Sequence, residues 1–167
     1  MLGQPQQQQR NKIYLNVKNG QIVRRTEQGE QYFSYVDGKL ENIYTKERTF
    51  RGESLLYWYI DLRDEETGEL YALGFPYTNN VFKSIALQLP TAIGFDNVRI
   101  EPYSKNGFDK VQVWAEGVKL DWITKQLPPL KEVNVGGRII KDDTDRMNLI
   151  RGYVNEVLSR IGKQVIQ

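Results

Sequence analysis

Cysteine and histidine are both absent from the 167 residues. Without cysteine there is no disulfide framework, no thiol nucleophile and no thiolate-bound metal. Without histidine the commonest general base and the commonest metal ligand are missing, which excludes Ser-His-Asp chemistry and His-based zinc sites. No run approaches the eighteen or so apolar residues of a membrane-spanning helix. The start, Met1-Leu2-Gly3-Gln4-Pro5-Gln6, lacks the charged and apolar regions of a secretion signal, so the expectation is a soluble, cytoplasmic protein with no membrane partner.

What is present has globular proportions: 40% hydrophobic and 26% charged residues, which argues against a wholly disordered chain. The 23 Lys and Arg nearly balance the 21 Asp and Glu, but unevenly. Residues 1–51 carry nine basic and five acidic side chains, whereas residues 52–125 carry seven and eleven. The first third can therefore present a basic surface.

Residues 1–11 form a Gln-rich lead with nothing to bury, expected to be disordered. In the next segment Ile13, Leu15 and Val17 alternate with Tyr14, Asn16 and Lys18, the period of a strand. Asn19-Gly20 then marks a hairpin, since a type I′ turn needs positive φ at both central residues. A second hairpin is expected at Asp37-Gly38, between strands at 31–36 and 39–50. Further strands are expected at about 55–63, 69–76, 97–103 and 110–117. A helix at 80–89, capped by Asn79-Asn80, buries Val81, Phe82, Ile85, Ala86 and Leu89 and ends at Pro90. Residues 126–141, with Leu127-Pro128-Pro129-Leu130 and Gly136-Gly137, read as a linker. Residues 142–167 read as a C-terminal helix, begun by Asp142 or Thr144, with a stripe of Met147, Ile150, Val154, Val157, Leu158 and Ile161 and a stop at Gly162.

Three strands, a helix and two strands are the element order of an OB-fold. The expectation for residues 12–125 is a mainly β, closed antiparallel barrel, with an additional N-terminal hairpin and bends at Gly52 and Gly74. An unrelated β-sandwich or β-roll is the rival architecture.

Strand parity separates faces. Leu56, Trp58, Ile60 and Leu62 share the core side of one strand, and Tyr57, Tyr59 and Asp61 share the other. On the preceding strand Tyr44, Lys46, Arg48 and Phe50 interleave rings with cations, followed by Arg51. Unpaired nucleic acid suits this pattern, because bases stack on rings and phosphates attract cations. Candidate contacts are Arg24, Arg25, Tyr44, Lys46, Arg48, Phe50, Arg51, Tyr57, Tyr59, Tyr77, Lys105, Phe108 and Lys110. Trp114 is either a stacking platform or covered by the terminal segment. Aromatic residues also favour strands intrinsically, so a structural role stands beside each assignment.

Carboxylates cluster at Asp61, Asp64, Glu65, Glu66 and Glu69 and again at Asp142, Asp143 and Asp145. The first group reads as a solvated turn and the second as helix-start chemistry. No phosphate-binding loop motif is present. Nothing argues for catalysis, a metal or a cofactor.

The span from about Tyr32 to Trp122 resembles phage single-stranded DNA-binding proteins, those of gut Bacteroidales phages in particular. Gly38-Lys39-Leu40, Thr49-Phe50-Arg51-Gly52, Trp58-Tyr59-Ile60-Asp61-Leu62 and Val113-Trp114-Ala115-Glu116-Gly117 carry the likeness. It implies an OB-fold, largely sequence-independent coating of single-stranded DNA in replication or recombination, and no cofactor. The closing residues Lys163-Gln164-Val165-Ile166-Gln167 are not acidic, so recruitment of partners through an acidic tail is not expected. RNA is not distinguished from DNA at this level. The alternative is a small structural or adaptor protein of a virion or assembly, self-associating through residues 142–161.

Overall fold

The computed structural model describes residues 12–167, so the Gln-rich lead expected at 1–11 lies outside the described residues. Eleven strands and two helices follow one another: β1 (Ile13–Lys18), β2 (Gln21–Thr26), β3 (Gly29–Phe33), β4 (Val36–Phe50), β5 (Glu53–Arg63), β6 (Leu70–Pro76), α1 (Asn80–Gln88), β7 (Val98–Lys105), β8 (Phe108–Ala115), β9 (Val118–Lys119), β10 (Lys131–Val135), β11 (Arg138–Asp142) and α2 (Thr144–Arg160). Nine strands form one sheet in the order β3-β2-β1-β6-β5-β4-β7-β8-β9, and β10 and β11 form a separate pair.

The closed barrel is not what forms. A barrel needs the two outermost strands to pair, and here β3 and β9 remain edges of an open sheet. The N-terminal hairpin is also no appendage, because β1 lies parallel to β6, with Ile13 opposite Tyr71 and Leu15 opposite Leu73. The sheet curls without closing. The turn between β1 and β2 meets the β7–β8 hairpin, where the Gly20 amide donates to Asp109 at 2.6 Å. A Cβ at position 20 would lie 2.6 Å from the Ser104 amide nitrogen, so glycine is required there by space as well as by its φ of +73°.

The expected α1 cap and first hairpin turn form, whereas α2 begins with Asp143 at its N-cap, and not Asp142 or Thr144, and without a side-chain cap bond. Asn19-Gly20 adopts the positive φ of a tight hairpin, as does Asn106-Gly107 between β7 and β8. Asn79 accepts the Phe82 amide and caps α1. Asp37-Gly38 is different: both residues lie within β4, and β3 pairs with β2. The glycine serves a close approach, since a Cβ at 38 would lie 2.6 Å from the Arg63 carbonyl oxygen. Neither expected bend glycine bends a barrel. Gly52 belongs to the turn between β4 and β5, with Arg51 before it at φ 51°, and Gly74 lies inside β6.

One face of the sheet carries the core. Trp58, Ile60 and Leu62 of β5, Leu73 and Phe75 of β6, and Val98, Ile100 and Val113 of β7 and β8 are buried there. Trp58 stacks on Phe82 of α1 at 4.5 Å and on Tyr77 at 5.5 Å. Met147, Ile150, Val154, Val157 and Leu158 of α2 join the same core. Lys83 of α1 and Asp143 at the start of α2 pair at 2.6 Å. The stripe expected to serve self-association is thus covered by the chain itself. The segment read as a linker contains the β10–β11 hairpin, turned at Gly136-Gly137 with both φ values positive. Among the described residues no helix is long and apolar enough to cross a membrane.

Candidate nucleic-acid interface

The other face of the sheet holds a polar and aromatic cluster. It begins with strand register: Tyr44 lies opposite Tyr59, Lys46 opposite Tyr57, Arg48 opposite Leu55 and Phe50 opposite Glu53. Directly opposed residues share a face in an antiparallel pair, so the expected basic-aromatic stripe forms. Beyond Tyr57, β6 no longer pairs with β5. Residues 46–56 therefore continue as a two-stranded ribbon that extends past the sheet, with every residue from Lys46 to Leu56 exposed. That is why Leu56, on the core side by parity, is not in the core: it lies where β6 leaves β5 and is 40% exposed.

Tyr59 is the centre of the cluster. It is only 3% exposed. Tyr44 and Tyr57 stack against it at 5.6 and 6.3 Å, and Tyr14 of β1 meets it edge-on at 6.0 Å. Its hydroxyl is pushed above the ordinary tyrosine pKa by burial, against the opposing charge and hydrogen bond of Arg48. Such a ring supports its neighbours and offers no free face to a base. Tyr59 is thus corrected from contact residue to support.

Tyr44 is also engaged. Its hydroxyl donates to Asp61 at 3.1 Å and accepts from the Lys12 ammonium at 2.7 Å, while Lys12 and Asp61 pair at 3.1 Å. Lys12 further sits 4.6 Å from the centre of the Tyr44 ring. Asp61 therefore does not belong to a solvated turn. It is mid-strand in β5 and buried, and burial raises its pKa despite the lowering effect of Lys12 and Tyr44. The turn chemistry belongs to Asp64, which accepts the Glu66 and Thr67 amides.

A groove of about 470 Å³ runs between the ribbon and the β1–β2 hairpin. Tyr14, Asn16, Arg25, Arg48, Phe50 and Tyr57 line it, with Leu15, Thr49 and Tyr59, and among the described residues none that lines it is acidic. Arg48 lies 5.4 Å from the centre of the Tyr57 ring. Phe50 is 63% exposed near the ribbon tip, with Arg51 over it at 5.5 Å. Arg25 has one loose, exposed ion pair to Glu30 at 3.7 Å, of the kind worth little in water.

Of the thirteen expected contacts, Arg25, Arg48, Phe50, Tyr57 and Tyr59 thus line one groove, Tyr44 and Lys46 adjoin it on the same stripe, and Arg51 lies in the turn at the ribbon tip. Arg24 does not join them. Alternation along β2 sends it to the opposite face, where it lines a separate cavity with Tyr35 and Tyr71. Tyr77 is a core ring against Trp58, and its carbonyl accepts the Trp58 indole N–H at 3.0 Å. Lys105, Phe108 and Lys110 lie on the β7–β8 hairpin and do not line the groove. Trp114 is half-buried opposite Arg99 and Lys119. Sequence reasoning missed Lys12, Tyr14 and Asn16. Parity did place Tyr14 and Asn16 on the face away from the core, but their position one strand away from β5, across β6, depends on the parallel β1–β6 pairing.

The chain matches no protein-family model, no curated protein and no solved structure.

Proposed function

We propose that this chain binds single-stranded nucleic acid, largely without sequence preference, along the groove between the β4–β5 ribbon and the β1–β2 hairpin. One observation carries the reading: Tyr14, Phe50 and Tyr57 share a solvent-facing groove with Arg25 and Arg48, and among the described residues no carboxylate lines it. Rings there stack on bases, each contact worth about 1–3 kcal/mol. The guanidinium groups meet phosphates and release counterions, which makes affinity fall as salt rises. Tyr59, Tyr44, Lys12 and Asp61 hold the rings and strands in place. No step of this activity requires a cofactor.

The test is anisotropy of fluorescein-labelled oligo-dT, oligo-rU and a duplex of equal length, at about 50 and 200 mM salt. Tighter binding of the single strands than of the duplex, weakened by salt, is expected. No salt-dependent binding at the lower concentration overturns the reading. The dT and rU arms separate DNA from RNA. Intrinsic tryptophan quenching is a poor readout, because no tryptophan lines the groove.

A further inference from the structure

The β10–β11 hairpin stands outside the nine-stranded sheet, and among the described residues neither of its outer edges carries a further strand. A lone two-stranded hairpin is marginal in water, and three or more strands are the usual requirement. This one is also apolar: Val133, Val135, Ile139 and Ile140 are all exposed, Ile139 to 69% and Ile140 to 50%. An open, apolar strand edge is a template for pairing.

We propose that two copies of this chain join through β11, pairing antiparallel about Ile140. The strand reads Arg138-Ile139-Ile140-Lys141-Asp142. Paired with itself about Ile140, it sets Arg138 of each copy opposite Asp142 of the other, and Ile140 opposite Ile140. Both charge pairs are complementary, and the two-fold axis repeats them. β10 does not have this property, since pairing about Val133 sets Lys131 against Val135. Asp142 is able to take this role while serving its own helix. Its Oδ1 accepts both the amide and the hydroxyl of Thr144, which leaves Oδ2 for the arginine of the second copy. The product is a four-stranded sheet, β10-β11-β11-β10, in place of two marginal pairs. A five-residue strand edge is a small interface, so a weak dimer is expected, with Kd on the order of 1–100 µM.

Sedimentation of the full chain across that concentration range, without nucleic acid, tests the proposal. The wild type is expected to pass from monomer to dimer. Arg138→Asp sets like charges opposite each other twice, and is expected to abolish dimerisation across that range. Asp142→Arg does the same from the other side. Mixing these two variants restores complementarity and dimerises, although each alone stays monomeric. Should Asp142→Arg disturb the start of α2, seen as a lowered melting temperature, Ile140→Lys replaces it by placing like charges on the axis, and it too is expected to be monomeric. A wild type that stays monomeric throughout overturns the proposal, and so does a dimer indifferent to Arg138→Asp and Ile140→Lys. Because these readouts contain no nucleic acid, their failure leaves the groove reading untouched.

Discussion

The ring of Tyr59 occupies the space that a side chain at Gly74 would need, since a Cβ at position 74 would lie 2.8 Å from Tyr59 Cε1. The two residues are directly opposed on β5 and β6. A glycine inside a strand ordinarily weakens it, and a ring laid over the bare backbone restores the lost packing. Gly74→Ala should therefore destabilise the fold by about 1–3 kcal/mol through overpacking. Urea denaturation checks this. The same substitution should loosen Tyr14, Tyr44 and Tyr57, which lean on Tyr59, and reduce the near-ultraviolet dichroism of the cluster. An unchanged midpoint would show that the ring moves aside freely.

Asp61 is held between two opposing influences. Burial raises its pKa, and the hydrogen bonds and charge of Lys12 and the bond from Tyr44 lower it, with burial prevailing. Lys12→Met removes the larger restraint, so the Asp61 carboxyl should titrate still higher, as read by carboxyl-carbon NMR. The sign of the stability effect follows. An acid whose pKa is raised in the folded state binds its proton more tightly there than when unfolded. Its stabilising contribution is complete below the ordinary aspartate value of 3.8 and declines as pH rises through the folded-state pKa. Unfolding free energies of the wild type and Asp61→Asn should accordingly diverge over that window, the wild type losing ground as pH increases.

Elements and turns were legible because they are local. Asn79 capping α1, the Asn19-Gly20 turn and the apolar period of α2 each depend on residues a few positions apart. The barrel failed because closure is a long-range property. No pattern within Ile13–Lys18 says that β1 pairs with a strand 58 residues onward, Leu15 with Leu73, and that pairing builds the open sheet. Asp37-Gly38 failed because one glycine serves two purposes, a turn or a close approach, and only the position of Arg63 decides between them. Parity placed the rings and cations of β4 and β5 on one face, but it does not measure cover. It gave Tyr59 and Phe50 the same status, although one is buried and the other lies near a projecting tip.

Arg24 and Arg25 offer an internal control for the groove. They are adjacent in sequence and opposite in facing, Arg25 lining the groove and Arg24 the cavity behind it. Arg25→Ala and Arg48→Ala should each flatten the dependence of log affinity on log salt by about 0.7, the increment for one phosphate contact on a single strand. Arg24→Ala should leave the slope unchanged. Equal effects from Arg24 and Arg25 would point to a diffuse attraction by the basic N-terminal third and not to a defined track.

Phe50 separates binding from folding most cleanly. It is exposed, and its stripe neighbour across the ribbon is Glu53, itself exposed. Truncating it removes a stacking surface without opening a cavity. Phe50→Ala should cost about 1–3 kcal/mol of affinity for oligo-dT, while the melting temperature stays near that of the wild type. Phe50→Trp should keep or improve binding, because a larger ring stacks at least as well, and it introduces a tryptophan whose fluorescence reports occupancy of the groove directly. Tyr59→Ala must behave differently: as a buried aromatic it should lower stability by about 3–5 kcal/mol and weaken binding only by disordering its neighbours. If Phe50→Ala binds like the wild type while Tyr59→Ala binds poorly, the ribbon tip lies off the track and the strand runs closer to Tyr14 and Tyr57.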